Sequence, residues 1–347
     1  MNILLTCAGR RNYLVGYFKQ ALIDKGLVFT ADNSGNAPAL QESDGAFIVP
    51  TVYDPNYVNR LLSICKTHQV RMIIPLNDLE LPILAENKVR FNREGIIVIV
   101  SDVNAIDTCF DKWKAYSFAS ENGIAAPATF ISLESVRDAL DSGQLKFPLV
   151  VKPRWGTASI SIEICHDFEE LTHAYSLTKN RLPRTLLSRV VANNAERSVI
   201  IQSMLHGIEY GLDVVNDFDG RYVCTLAKRK LAMRAGETDK ALTVDNSDLS
   251  DFGKKIGSCL GHIANLDCDV FETDAGYYLL EMNPRFGGGY PFSHMAGANI
   301  PSALLAWADG KTPEPGWLRA TPGVISAKCD RLVLITQKYF NSLECDE

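Results

Sequence analysis

The stretch Glu281-Met282-Asn283-Pro284-Arg285-Phe286-Gly287-Gly288-Gly289 closes an apolar run that begins at Tyr277. Residues i and i+2 of a strand share a face, so Glu281 and Asn283 point the same way, with Arg285 two positions further on. The turn residues Asp274-Ala275-Gly276 fold the preceding run, Cys268–Thr273, back as a hairpin, which brings Asp269 alongside the pair. Two carboxylates and an amide oxygen are hard donors, suited to Mg²⁺ rather than zinc. Burying them without a cation would be costly. A guanidinium beside such a cation is what a transferring phosphoryl group needs.

Upstream, Phe147-Pro148-Leu149-Val150-Val151-Lys152 ends an apolar strand on a lysine, and the small, hydroxyl-bearing loop Gly156–Ser161 follows it. An ammonium with backbone N–H groups and hydroxyls around it suits nucleotide phosphates. The G-x-x-x-x-G-K-[ST] loop is missing, and a strand-end lysine alone is also the ordinary mark of a solvated terminus.

The first hundred residues alternate apolar runs with helical spacing. Asn2–Cys7, Leu27–Ala31, Ala46–Val49, Met72–Pro75 and Ile96–Val100 read as strands, with helices over Tyr13–Lys25 and Val58–His68. Strands separated by helices of this length imply βαβ units and a parallel sheet. Cys7-Ala8-Gly9-Arg10-Arg11 forms the first βα turn, and Asp32 closes the second strand. That pair invites a dinucleotide-binding reading, but G-x-G-x-x-G is absent because Arg11 stands where the second glycine belongs. Arg10, with Asp78 and Glu80 after the fourth strand, should lie at the C-terminal sheet edge, where open α/β sheets bind ligands. There Arg10 would hold a carboxylate and Asp78 or Glu80 an ammonium; the alternative is solvated loop charge.

Asp107–Asn122 reads as one helix, ended by Gly123-Ile124-Ala125-Ala126-Pro127. Beyond Phe147 the strands crowd together as antiparallel hairpins do: Leu149–Lys152, Ile160–Ile164, Val199–Met204, Tyr210–Asn216, Tyr222–Lys228, Cys268–Thr273 and Tyr277–Met282. Thr312-Pro313-Glu314-Pro315-Gly316 sets off a C-terminal piece with strands over Val324–Ala327 and Arg331–Thr336.

Composition removes other classes. Of the 347 residues, 46% are hydrophobic and 22% charged, and the net charge is -6, so no basic field for nucleic acid or anionic membrane exists. The nine cysteines are scattered singly, without a C-x-x-C pair, as expected of reduced thiols in the cytoplasm. Met1–Val15 lacks a basic n-region and reads as a first strand rather than a signal peptide, and no apolar run is long enough to span a bilayer.

In this order, a βαβ domain, Asp111-Lys112 before a helix, FPLVVKP and EMNPRFGGG resemble the ATP-grasp superfamily, in particular its carbamoyl-phosphate-synthase-like, carboxylate–amine ligase branch. The resemblance runs from Met1 to about Gly310. It implies an α/β fold, with a parallel-sheet pre-ATP-grasp domain over residues 1–106. An ATP-grasp domain of two α+β subdomains follows over 107–310, its smaller lid at about 123–205, and then an extension over 311–347. It further implies that Lys112 and Lys152 hold the α/β-phosphates of ATP. Gln202, where the family usually has Glu, with Ser203, Leu205 and Glu209, looks like the adenine and ribose hinge. Asp269, Glu281 and Asn283 match the Mg²⁺ ligands, and Arg285 the arginine facing the γ-phosphate. Lys228 and Arg234, in Ala227–Gly236, would add positive charge over the phosphoryl group, unless that stretch is a solvated hairpin. The implied chemistry is phosphorylation of a small-molecule carboxylate to an acylphosphate, which an amine attacks, with an amino acid as the expected substrate and a homodimer as the family-level expectation. A non-catalytic nucleotide-binding module and a Rossmann-type oxidoreductase are the alternatives. The first gives no reason for Arg285, and the second none for the metal cluster.

Overall fold

The structure is a computed structural model that describes residues 1–156, 162–192 and 194–336. Strands β1 (Asn2–Thr6), β2 (Val28–Asp32), β3 (Gly45–Ile48), β4 (Val70–Pro75) and β5 (Ile97–Val98) form one parallel sheet in the order β3-β2-β1-β4-β5. Period-two alternation supplies both of its faces. Ile3, Leu5, Met72 and Ile74 point to one side and Leu4 and Ile73 to the other. Helices Tyr57–Thr67 and Leu81–Arg93 cover the second face. Helix Asn12–Leu22 covers the first, where it also meets Phe286, Tyr290 and helix Ile300–Ala308 from the far end of the chain. The two ends of the protein therefore share one core.

Where one helix is expected over Asp107–Asn122, two form, Val103–Phe110 and Lys112–Glu121. Asp111 breaks them apart. Its backbone is extended (φ -105°, ψ 106°), and its carboxylate accepts from the backbone N–H groups of Trp113 and Lys114 as the cap of the second helix. Arg154, just past the lysine strand, clamps the same carboxylate at 2.7 and 2.6 Å. The break thereby ties the start of the second helix, Lys112, to the strand that carries Lys152.

That strand belongs to a four-stranded antiparallel sheet, β6 (Thr129–Phe130), β7 (Leu149–Pro153), β8 (Glu163–Cys165) and β9 (Val199–Ser203), ordered β6-β9-β7-β8. Of the loop Gly156–Ser161, and of the strand expected from Ile160, residues 157–161 lie outside the described residues.

The third sheet is antiparallel, with β10 (Ile208–Asn216), β11 (Tyr222–Arg234), β12 (Glu237–Val244), β13 (Ala264–Thr273), β14 (Gly276–Asn283) and β15 (Ile325–Ala327) ordered β14-β13-β10-β11-β12-β15. The β13–β14 hairpin turns at Asp274–Gly276, with Gly276 at φ 116°. Strand β11 runs well past Lys228 and returns as β12, a strand the apolar pattern does not reveal. Ala235 (φ 49°) and Gly236 (φ 78°) make the left-handed turn between them. Strand β15, from the C-terminal piece, extends this sheet along the β12 edge. Arg331–Thr336 is not a strand: Leu332 and Leu334 face solvent, so the segment has no apolar face to bury.

Candidate active site

The third sheet has one apolar face and one charged face, and strand register decides which side chains meet. Tyr210, Leu212, Val214, Leu266, Cys268 and Val270 pack into the core behind it. The alternate positions point the other way. Asp269 lies opposite both Glu281 and Gly211, and Asp267 opposite both Asn283 and Asp213. Lys228 lies opposite Gly211. Charges from four adjacent strands thus form a continuous row.

The row is neutralised pair by pair, which buried ions require. Lys230 donates to Glu209 and Asp269, each at 2.6 Å, and these two carboxylates outweigh its burial and raise its pKa. Lys228, 1% exposed, donates to Asp213 at 2.6 Å and to Ser293 Oγ at 3.3 Å. Lys112 meets Glu281 at 3.2 Å. Burial would raise the Glu281 carboxyl, but Lys112 and Lys152 outweigh it and hold it below the usual range. Burial raises Asp269 and Asp267, with Lys230 and Arg285 acting against the shift. Lys152 is 5% exposed and is within ion-pair distance of no carboxylate among the described residues. Burial and the neighbouring Lys112 cation lower its pKa to about 8. Glu281 and Asp269 act against that shift without pairing with the lysine, so Lys152 is the site lysine with no ion-pair partner among the described residues.

Arg285 is held from two sides. Its Nε and Nη2 donate to Asp78 Oδ2 at 3.2 and 2.8 Å, and its Nη1 donates to Asp267 Oδ2 and the Phe286 carbonyl, both at 3.3 Å. The glycines that follow are forced by close approach. A Cβ on Gly287 would fall 2.0–2.2 Å from the Asp267 carboxylate, and one on Gly289 would fall 2.8 Å from Lys228 Cε. The loop passes directly over the charged row, and Arg11 fastens it from the first domain by donating to the Phe286 carbonyl at 2.6 Å. A cavity bounded by Ile106, Phe110, Lys112, Gly156, Glu281 and Asn283 opens beside the lysines.

The donor set fits Mg²⁺. Asp269 and Glu281 are directly across from one another, with the Asn283 amide two residues on along the same face. No cluster of three His, Cys, Asp or Glu able to hold a metal occurs among the described residues, so the third donor would have to be the amide.

Lys112, Lys152, Lys228, Glu209, Asp269, Glu281, Asn283 and Arg285 thus come together between the second and third sheets. Other expected residues lie elsewhere. Arg234 reaches Asp239 at 3.0 Å and Asp330 at 2.7 Å on the surface. Gln202 is buried, with its amide donating to Thr129 Oγ1 at 2.8 Å, and the Ser203 N–H donates to the Ala128 carbonyl; Leu205 is half-buried. Arg10 is exposed at the first βα turn. Glu80 is fully buried inside the first domain, where it accepts from the Tyr57 hydroxyl, and burial pushes its carboxyl up to about 7. Asp78 faces Arg285 rather than open space. Sequence reasoning misses Lys230, Asp213 and Asp267. Their only trace is charge alternating with apolar residues along β10, β11 and β13.

Residues 3–99 match the family model described as PylC-like, N-terminal domain, and residues 195–325 match ATP-grasp in the biosynthetic pathway with Ter operon. The carbamoyl phosphate synthase large chain of Clostridium beijerinckii is 23% identical over 262 residues, covering 72% of this chain but 23% of that longer protein. Among solved structures, the biotin carboxylase domain of Hydrogenobacter thermophilus 2-oxoglutarate carboxylase superposes with a TM-score of 0.71 at 16% identity. It covers 90% of this chain and 70% of that one. An L-amino acid ligase from Bacillus licheniformis gives 0.66 at 19% identity, covering 88% and 74%. At these identities the structural likenesses establish the fold. The two family models thus set a PylC-like domain before an ATP-grasp region, and the fold is the one these solved structures share.

Proposed function

We propose that the protein is an ATP-dependent carboxylate–amine ligase, with an amino acid among its substrates. The observation that carries this is the convergence of Lys112, Lys152 and Arg285 on the face that presents Asp269, Glu281 and Asn283. Such a set offers cations to a triphosphate and hard oxygen donors to the metal that accompanies it. Lys112 and Lys152 hold the α/β-phosphates, and Lys152 is the one without an ion-pair partner among the described residues. Glu209 takes the ribose hydroxyls. Asp269, Glu281 and Asn283 would hold Mg²⁺, which draws charge from the phosphate oxygens. Arg285 points at the γ-phosphoryl group. The substrate carboxylate oxygen attacks the γ-phosphorus, ADP departs, and the amine then displaces inorganic phosphate from the acylphosphate. What the chain supplies is position and charge.

In this reading the chain divides at about 106 and 310 into pre-ATP-grasp domain, ATP-grasp domain and extension, and the extension adds β15 to the catalytic sheet. The eight described cysteines are all free, which supports a reducing, cytoplasmic setting. Among the described residues, no helix is long and apolar enough to cross a membrane. The test is ADP release from ATP and Mg²⁺ on addition of single amino acids and amino-acid pairs. Stimulation by a specific acid is expected. ATP binding without ADP release under every condition would reduce the protein to a nucleotide-binding module.

A further inference from the structure

Four of the five N–H groups of the Arg285 guanidinium are committed, two of them to a single oxygen, Asp78 Oδ2. One N–H on Nη2 remains. Asp78 lies 207 positions away in sequence, on the turn after β4, and that turn is itself fixed. The Asn77 side chain accepts from Leu79 N–H at 2.9 Å, its carbonyl accepts from Glu80 N–H at 3.1 Å, and the buried Glu80 carboxylate accepts from Tyr57. Asp78 and Arg285 are both nearly buried, with side chains 11% and 7% exposed, so neither swings freely in solvent. A guanidinium gripped along its Nε–Nη2 edge cannot rotate about its last bonds. Its remaining N–H is therefore aimed before any substrate arrives, the preorganisation that makes a charge effective in a transition state.

We propose that Asp78 is a positioning residue for phosphoryl transfer: it clamps Arg285 from the first domain, so that the arginine is correctly aimed only while the two domains are docked. This rests on the ligase reading. It also assigns Asp78 to the arginine rather than to a substrate ammonium.

The test compares wild type, Asp78→Asn, Arg285→Lys and the double variant, using kcat and KM for ADP release and calorimetric affinity for MgADP. Asp78→Asn should lower kcat about 10²-fold, the scale of loss for a misplaced catalytic group, with MgADP affinity and the amine KM within about twofold of wild type. In the Arg285→Lys background, which lacks the fork, Asp78→Asn should cost no further turnover. Asp78→Glu keeps the charge and should fall between wild type and Asp78→Asn, and it carries the comparison if the asparagine variant does not fold. A raised amine KM with kcat retained would make Asp78 a substrate ligand and overturn the proposal, as would losses that multiply in the double variant. If wild type itself releases no ADP, the ligase reading fails first, and all the proteins will be equally silent.

Discussion

Lys152 is a cation held against its own preference for water, and that makes nucleotide affinity dependent on pH in a calculable way. Burial and Lys112 bring its pKa from 10.5 to about 8. At about 1.4 kcal/mol per unit, the charged form costs the ligand-free protein on the order of 3 kcal/mol. A bound polyphosphate restores the charge's partner and raises the pKa again. Below pH 8 the ammonium is already present and affinity should be flat. Above pH 8 each binding event must take up a proton, so affinity should fall by about tenfold per pH unit. Nucleotide phosphates are fully ionised above about pH 7, so they contribute no slope in this window. Stability of the ligand-free protein must move the opposite way. Because the folded pKa lies below the unfolded one, the unfolded chain binds more protons between pH 8 and 10.5, and stability rises across that interval. Calorimetric titration of MgADP from pH 7.5 to 9.5, with urea unfolding at the same pH values, reads both. Lys152→Arg, charged throughout, should flatten the affinity profile. A flat profile in the wild-type protein, or the same slope in Lys152→Arg, would refute the reasoning.

Glu80 runs in the reverse sense: its folded carboxyl titrates near 7 against 4.5 unfolded, so its contribution is full below pH 4.5 and is lost as pH rises through 7. Glu80→Gln, which can still accept from Tyr57, should raise urea stability at pH 8 by up to about 3 kcal/mol and remove the decline between pH 4.5 and 7. Gly287→Ala drives a Cβ to within 2.0–2.2 Å of the Asp267 carboxylate, so it should cost about 1–3 kcal/mol in urea unfolding and abolish ADP release.

How much of this is visible in sequence depends on whether a face is apolar. Strand β10 shows itself because Leu212 and Val214 alternate toward a core, whereas in β14 a bulge in the pairing with β13 lets Leu279 and Met282, three positions apart, both reach it. Strand β11 turns Lys228 and Lys230 inward, so its apolar pattern ends at Lys228, and β12 buries only Thr238, Ala241 and Thr243. An inward charge looks solvated until its partner is known, and the partners of Lys230 are 21 and 39 residues away. Glu281 and Asn283 are easier because a strand puts them on one face without reference to anything distant. Glu80 resembles a loop acid because Tyr57, the residue that buries it, is 23 positions upstream. The break at Asp111 is invisible for the same reason: its clamp, Arg154, comes 43 positions later in the chain.

The most direct measurement follows one oxygen atom. A carboxylate that attacks the γ-phosphorus of ATP gives up that oxygen when the amine displaces phosphate, so a substrate labelled with ¹⁸O in its carboxylate should deliver one ¹⁸O to inorganic phosphate for each ADP formed. Mass spectrometry of the phosphate reads this directly. Phosphate without label, alongside ADP formed in the presence of the substrate, would mean that water rather than the carboxylate is phosphorylated, and the acylphosphate route would be contradicted.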